Sequence, residues 1–169
     1  MHFRAAVVLL ISIWIFSLFT LCSYAIEADQ IKVAFIYNFS KYIDWPTSVP
    51  GDTFTVCGYG DGDDVLSSIS GKSTQGKTIK IKKLSNPEEA DSCHIVYIRS
   101  GVSAEGILAN LKNKHVLTVG DESGFLNKGG MIGFKMNDGK VVFDINATLV
   151  RGNGLTVSSQ LLKFANEIK

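Results

Sequence analysis

Between Phe54 and Val119 short β-rich runs alternate with helix-like or polar segments, and this alternation restricts the chain to a parallel sheet covered by helices. The segments run Phe54–Tyr59, Asp63–Ile69, Thr78–Leu84, Pro87–Asp91, His94–Arg99, Ala104–Leu111 and Val116–Val119. The rhythm then changes. Gly130–Met136 and Lys140–Ile145 flank Asn137-Asp138-Gly139, whose Asp-Gly pair supplies the positive φ of a hairpin turn, so the sheet is expected to end in an antiparallel pair. The fold class expected is α/β: a three-layer sandwich with a mostly parallel sheet, a C-terminal antiparallel hairpin and helices on both faces.

Two helices are expected to bracket this region. From Glu27 to Ile43, Ile31, Ala34, Phe35, Asn38-Phe39 and Tyr42 recur at three- and four-residue spacing, and Asp44-Trp45-Pro46 stops the helix because a residue before proline is pushed out of the helical region. From Val157 to Ile168, Leu161, Leu162, Phe164, Ala165 and Ile168 form the stripe that a closing helix would bury.

Ahead of the first helix lie Met1-His2-Phe3-Arg4, an apolar run from Ala5 to Cys22, and Ser23-Tyr24-Ala25. This is the order of a secretory leader, with cleavage expected after Ala25 and export to the periplasm. An uncleaved anchor is the competing reading, since the run is nearly long enough to span a bilayer. Leu21 before Cys22 argues against a lipoprotein. The leader carries one cation, Arg4, and no acid, so residues 26–169 hold 16 basic and 16 acidic side chains. That balance excludes nucleic-acid binding driven by excess positive charge. With no linker-like stretch or repeat, 26–169 reads as a single domain.

Cys57 and Cys93 remain after the leader, and an even count in an exported chain makes one disulfide the default, with two buried free thiols as the alternative. No catalytic or cofactor site emerges. Gly58-Tyr59-Gly60-Asp61-Gly62 occupies the place of a phosphate-binding turn, but Asp61, Asp63 and Asp64 oppose an anion and the Rossmann glycine spacing is missing. The same acids do not match a calcium loop and read as the acidic start of a helix. His94 and His115 are too far apart and too isolated to signal a metal. Ser158-Ser159 reads as a helix cap, Gly129-Gly130 as a positive-φ turn, and Trp45-Pro46 as a core plug; the last two are also candidates to border a partner surface.

Four segments, taken in order, resemble the YfiR family. They are Ala34–Asn38-Phe39 through Lys41–Trp45-Pro46; Val56-Cys57-Gly58-Tyr59-Gly60; Cys93-His94-Ile95-Val96-Tyr97-Ile98; and a longer set from Leu117-Thr118-Val119 and Asp121 through Gly129–Phe134, Phe143–Asn146, Arg151, Gly154-Leu155 and Ser158–Leu162. The resemblance implies a periplasmic, non-catalytic repressor that binds the sensory part of an inner-membrane diguanylate cyclase, lowers cyclic-di-GMP output and biofilm formation, and is sequestered by an OmpA-like outer-membrane lipoprotein. A homodimer is a further candidate, as is service to another membrane receptor such as a histidine kinase. It marks Tyr37, Asn38, Trp45, Asp121, Gly129, Gly130, Asn146 and Arg151 as candidate partner or motif residues, and Cys57 with Cys93 as the family's spaced pair, open to redox control of the repressor. This chain departs from the family in lacking a second disulfide near the hairpin and in carrying Asn153 before Gly154-Leu155. Two rival readings are a small-ligand sensor with its pocket at the carboxyl ends of the strands, and a hydrolase using Asp61, Asp63 or Asp121.

Overall fold

The structure, a computed structural model, describes residues 27–46, 52–60 and 62–169. The leader expected over 1–25 lies outside the described residues, as does Asp61.

Helix α1, residues 27–42, places Val33, Ile36 and Phe39 on the sheet through their three-residue spacing. It stops before Pro46 as the sequence requires, and Ile43–Asp44 (β1) pairs antiparallel with Thr156–Val157 (β9) in a small separate ribbon. The main sheet contains β2 (Thr53–Tyr59), β3 (Ser73–Thr74), β4 (Lys77–Leu84), β5 (Ile95–Ile98), β6 (Leu117–Gly120), β7 (Ile132–Asn137), β8 (Lys140–Ile145) and β10 (Glu167–Ile168). Its spatial order is β10-β8-β7-β6-β5-β2-β4-β3. The strands from β4 to β7 are parallel, and the order reverses at β2: the chain leaves β2 outward to β4, then crosses back to β5.

The crossovers are short. Helix α2 (Gly62–Leu66) with the turn Ser67–Ile69 connects β2 to the β3–β4 hairpin, the turn Pro87–Ser92 leads to β5, α3 (Glu105–Asn110) leads to β6, and the turn Phe125–Lys128 leads to β7. All four residues of β5 are buried. Their side chains alternate between two clusters, Ile95 and Tyr97 joining α1 on one side while Val96 and Ile98 join Ile107 and Leu111 of the α3 segment on the other. A strand buried on both faces reads as an unbroken apolar run, which is the run seen in the sequence.

Glycines beside Phe125 show how closely the second cluster is fitted. A methyl group added at Gly120 would stand 2.6 Å from the Phe125 ring, and one at Gly130 would stand closer still. Gly129 has φ 96°, so the Gly129-Gly130 pair both turns the chain and makes room for that ring.

The C-terminal segment corrects the sequence reading. The helix expected over 157–168 is reduced to α5, Ser159–Leu162, opened by the Ser158 hydroxyl accepting from the Leu161 amide. Leu161 is buried, but Phe164 is 67% exposed and Ile168 is 51% exposed. Residues beyond Asn166 pair with β8 instead: the Asn166 amide donates to the Phe143 carbonyl and the Lys169 amide to the Ile145 carbonyl. These bonds give partners to β8 main-chain groups that an edge strand would leave unpaired, a demand that outranks a helical apolar stripe. The β7–β8 hairpin turns through Asp138 and Gly139, both at positive φ, and lies inside the sheet with β10 beyond it. Helix α4 (Ala147–Gly152), which the periodicity did not disclose, is started by the Asn146 side chain accepting from the Leu149 amide at 2.8 Å.

Candidate functional site

Strand order reverses between β2 and β5, and the carboxyl ends of strands at such a point are the usual location of sites in open α/β sheets. In this chain the neighbouring carboxyl ends of β5 and β6 are occupied by charge. Asp121 follows β6, and its Oδ2 accepts from Lys32 of α1 at 2.7 Å and from the Tyr97 hydroxyl of β5 at 2.8 Å, while its Oδ1 accepts from the Ser100 amide at 2.5 Å. Asp29, one turn before Lys32 on α1, pairs with Lys32 at 3.3 Å and with Arg99 at 2.8 Å. The Asp121 side chain is only 6% exposed.

Burial alone would raise the Asp121 carboxyl, but hydrogen bonds from Lys32 and Tyr97, the Lys32 charge and the Ser100 amide outweigh it and hold the pKa below the usual carboxylate value. Burial, and then the Asp121 charge, drive the Tyr97 hydroxyl above its ordinary value. At neutral pH the tyrosine keeps its proton and the aspartate its charge. The pair is therefore suited to holding α1 against the strand ends rather than to exchanging protons. Asp63, in the first turn of α2, pairs with Lys83 at 3.4 Å. Among the described residues, no three His, Cys, Asp or Glu side chains gather as a metal site.

At the opposite, amino end of β5, Cys93 is joined to Cys57 in a disulfide with Cα atoms 6.0 Å apart. It ties the centre of β2 to the entry of β5. Next to it His94 is 6% exposed, and its ring stacks on Phe54 at 4.4 Å, with Trp45 edge-on to Phe54 at 5.0 Å. His94 Nδ1 accepts from the Thr55 amide at 3.1 Å, which places the proton of the neutral ring on Nε2. Burial, and then the charge of Lys77, lower its pKa from 6.5 to about 4.

Between those two values the unfolded chain binds a proton that the folded chain does not, so stability falls as pH drops from about 6.5 to about 4. Urea unfolding of the parent and of His94→Gln at half-unit pH steps checks this. The variant is expected to be less stable at pH 7 and flatter across the window; parallel curves would contradict the assignment.

Over residues 29–166 the chain matches the domain family described as YfiR/HmsC-like. The chain belongs to that family. No curated protein matches it. Among solved structures, a conserved domain protein from Vibrio cholerae O1 biovar El Tor is 13% identical with a TM-score of 0.54, over 70% of this chain and 55% of that one. An ABC domain from Streptococcus pneumoniae, solved in complex with L-Trp, is 8% identical with a TM-score of 0.48, over 69% and 55% of the two chains. The first likeness is one of fold. The match spans little more than half the length of each of these structures, 55%.

The YfiR/HmsC-like match covers all four segments on which the sequence resemblance rests, yet the structure does not gather the candidate residues into one place. The Tyr37 hydroxyl donates to the Ser73 carbonyl of β3 at 3.1 Å, with Lys41 over its ring at 3.9 Å. Asn38 is exposed on α1, whereas Asn146 and exposed Arg151 follow β8, near the other edge of the sheet. Trp45 is half-buried against Phe54, and Gly129 and Gly130 frame Phe125. Asp121 alone among them belongs to the charged cluster. Its partners Lys32 and Tyr97, and the Asp29 and Arg99 that extend the cluster, are not among the candidate residues of the sequence. The three-residue spacing of Asp29 and Lys32 is a local signal for a helix-surface pair, but nothing local points either of them to residues 70 and 89 positions away.

Proposed function

We propose that this YfiR/HmsC-like chain is a periplasmic regulator that binds the sensory part of an inner-membrane diguanylate cyclase and holds it in a low-output state, lowering cyclic-di-GMP signalling and biofilm formation. Family membership over residues 29–166 carries the reading. The disulfide supports an exported location, because cytosolic thiols are kept reduced. In this reading residues 1–25 are a removed leader, 26–169 form one domain built as a three-layer sandwich, and an OmpA-like outer-membrane lipoprotein relieves repression by sequestering it.

Repression of this kind needs no catalysis. A binder that prefers one receptor conformation by about 3 kcal/mol shifts a two-state receptor roughly a hundredfold. The engagement of Asp63 and Asp121 in ion pairs supports the non-enzymatic reading over a carboxylate hydrolase. The test is capture of the protein's partners from membranes of its own host, identified by mass spectrometry. A membrane protein with a cytoplasmic cyclase domain is expected; a histidine kinase would keep the regulator and replace the cyclase, and retention of no membrane protein would sink the binding reading.

A further inference from the structure

Sulfur is sheltered in the described residues at every position but one. Cys57 and Cys93 are joined to each other and buried, and Met131 is 3% exposed, whereas Met136 is 49% exposed. A thioether in contact with water is open to two-electron oxidants, and its susceptibility follows that exposure.

Position decides what oxidation there does. Met136 lies in β7 opposite Val141 of β8, and strand alternation puts it on the face that carries Ile132 and Phe134, the face covered by α1. With Gly139 and Val141 of the hairpin, and with Glu27, Ala28 and Ile31 in the first turns of α1, it lines a groove of about 70 Å³. The side chains of this lining offer no hydrogen-bond donor, since their one polar group is the Glu27 carboxylate, an acceptor. A thioether suits such a lining as an apolar, adaptable filler. A sulfoxide, whose oxygen is a strong acceptor, does not.

We propose that Met136 is an oxidation site through which a two-electron oxidant of the peroxide class loosens the start of α1 from the β7–β8 hairpin. With hydrogen peroxide, the sulfur lone pair attacks one oxygen, an S–O bond forms as the O–O bond breaks, sulfur gives up two electrons, and the departing hydroxide takes the remaining proton and leaves as water. The new oxygen then turns to solvent and draws the side chain from the groove, which uncovers Ile31 and Val141. Buried Val33, Ile36 and Phe39 and the Lys32–Asp121 pair keep the rest of α1 in place, so the domain stays folded. Methionine sulfoxide reductases, one for each epimer, return the thioether and make the change reversible. No receptor takes part in the step.

Dilute hydrogen peroxide at neutral pH tests the site, with peptide masses followed over time; thermal unfolding and methyl NMR of the treated protein test the effect. Met136 is expected to take up one oxygen about tenfold faster than Met131, and the melting temperature to fall by about 4 °C. Shifts at the Ile31 and Val141 methyls should accompany the fall. Treatment with the two reductases should reverse these changes, and Met136→Leu, which keeps the apolar filler without its sulfur, should show none of them. Oxidation of Met131 as fast as Met136 would overturn the assignment of the site. A Met136 sulfoxide with unchanged melting temperature and unchanged Ile31 and Val141 signals, or the same losses in Met136→Leu, would overturn its action on α1.

Discussion

Replacing Cys57 and Cys93 together by alanine is expected to lower the stability of the domain by about 4 kcal/mol and its melting temperature by roughly 10–15 °C. The bond closes a sequence separation of 36 residues. The chain-entropy model gives about 4 kcal/mol for a loop of that length. Both cysteines are buried, in the cluster that also contains Leu84, Val96 and Ile98. Their truncation therefore leaves a void as well as a freer unfolded chain. The effect should fall on the centre of the sheet, because β2 and β5 are neighbours at the point where strand order reverses. Thermal and urea unfolding of the parent and the double variant, with and without reductant, measures it. The reduced parent should converge on the variant. If reduction leaves the parent's melting temperature unchanged, the bond is not a staple, and redox control of a repressor through it loses its physical basis.

The second large effect is expected at Asp121. Its replacement by alanine leaves the Lys32 ammonium without its closer carboxylate and the Tyr97 hydroxyl and Ser100 amide without their acceptor. Breaking a buried, hydrogen-bonded pair from one side costs about 3–5 kcal/mol, and because Lys32 keeps Asp29 the lower part of that range is expected. Asp121→Asn retains an acceptor and should cost less. Lys32→Met combined with Asp121→Ala should cost clearly less than the sum of the two single changes, since each single change strands the other's partner. Urea midpoints for the four proteins decide it; strict additivity would show that the ion pair does not hold α1 to the strand ends. The pH dependence has a definite sign. Asp121 is held below the usual carboxylate value, so its contribution is complete above about pH 4 and is lost as pH falls through its folded value. The His94 contribution is lost at higher pH, from about 6.5 down to about 4, so the two can be separated in one titration.

Much of the fold was legible because its signals are local. The run Ile95–Ile98 is apolar at every position since both faces of β5 are covered, and Phe54–Tyr59, Thr78–Leu84 and Val116–Val119 mark the neighbouring parallel strands to within a residue or two. Pro46 sets the end of α1 through the steric restriction on the residue before it. Ser158 caps α5 as its hydroxyl allows. Local signals misled where a tertiary demand outweighed them. The stripe Leu161, Leu162, Phe164, Ala165, Ile168 has helical spacing, but the open edge of β8 needed main-chain partners, and Glu167–Ile168 supply them as β10. Asn146 looked like a family motif residue; its cap on α4 becomes visible only where β8 ends beside it.

What the sequence by itself determined is therefore the strands β2, β4, β5, β6, β7 and β8, the stop of α1, the Asp138-Gly139 turn and the availability of two cysteines for one bond, since each follows from residue types, steric limits or periodicity acting over a few residues. What only the tertiary structure decided is which distant groups share a buried space. Lys32 meets Asp121 across 89 positions and Arg99 meets Asp29 across 70. The physical reason is that the energy of a buried charge depends on its neighbours in space, and those neighbours are assigned by strand order, which reverses at β2 and is not written in any short stretch of chain.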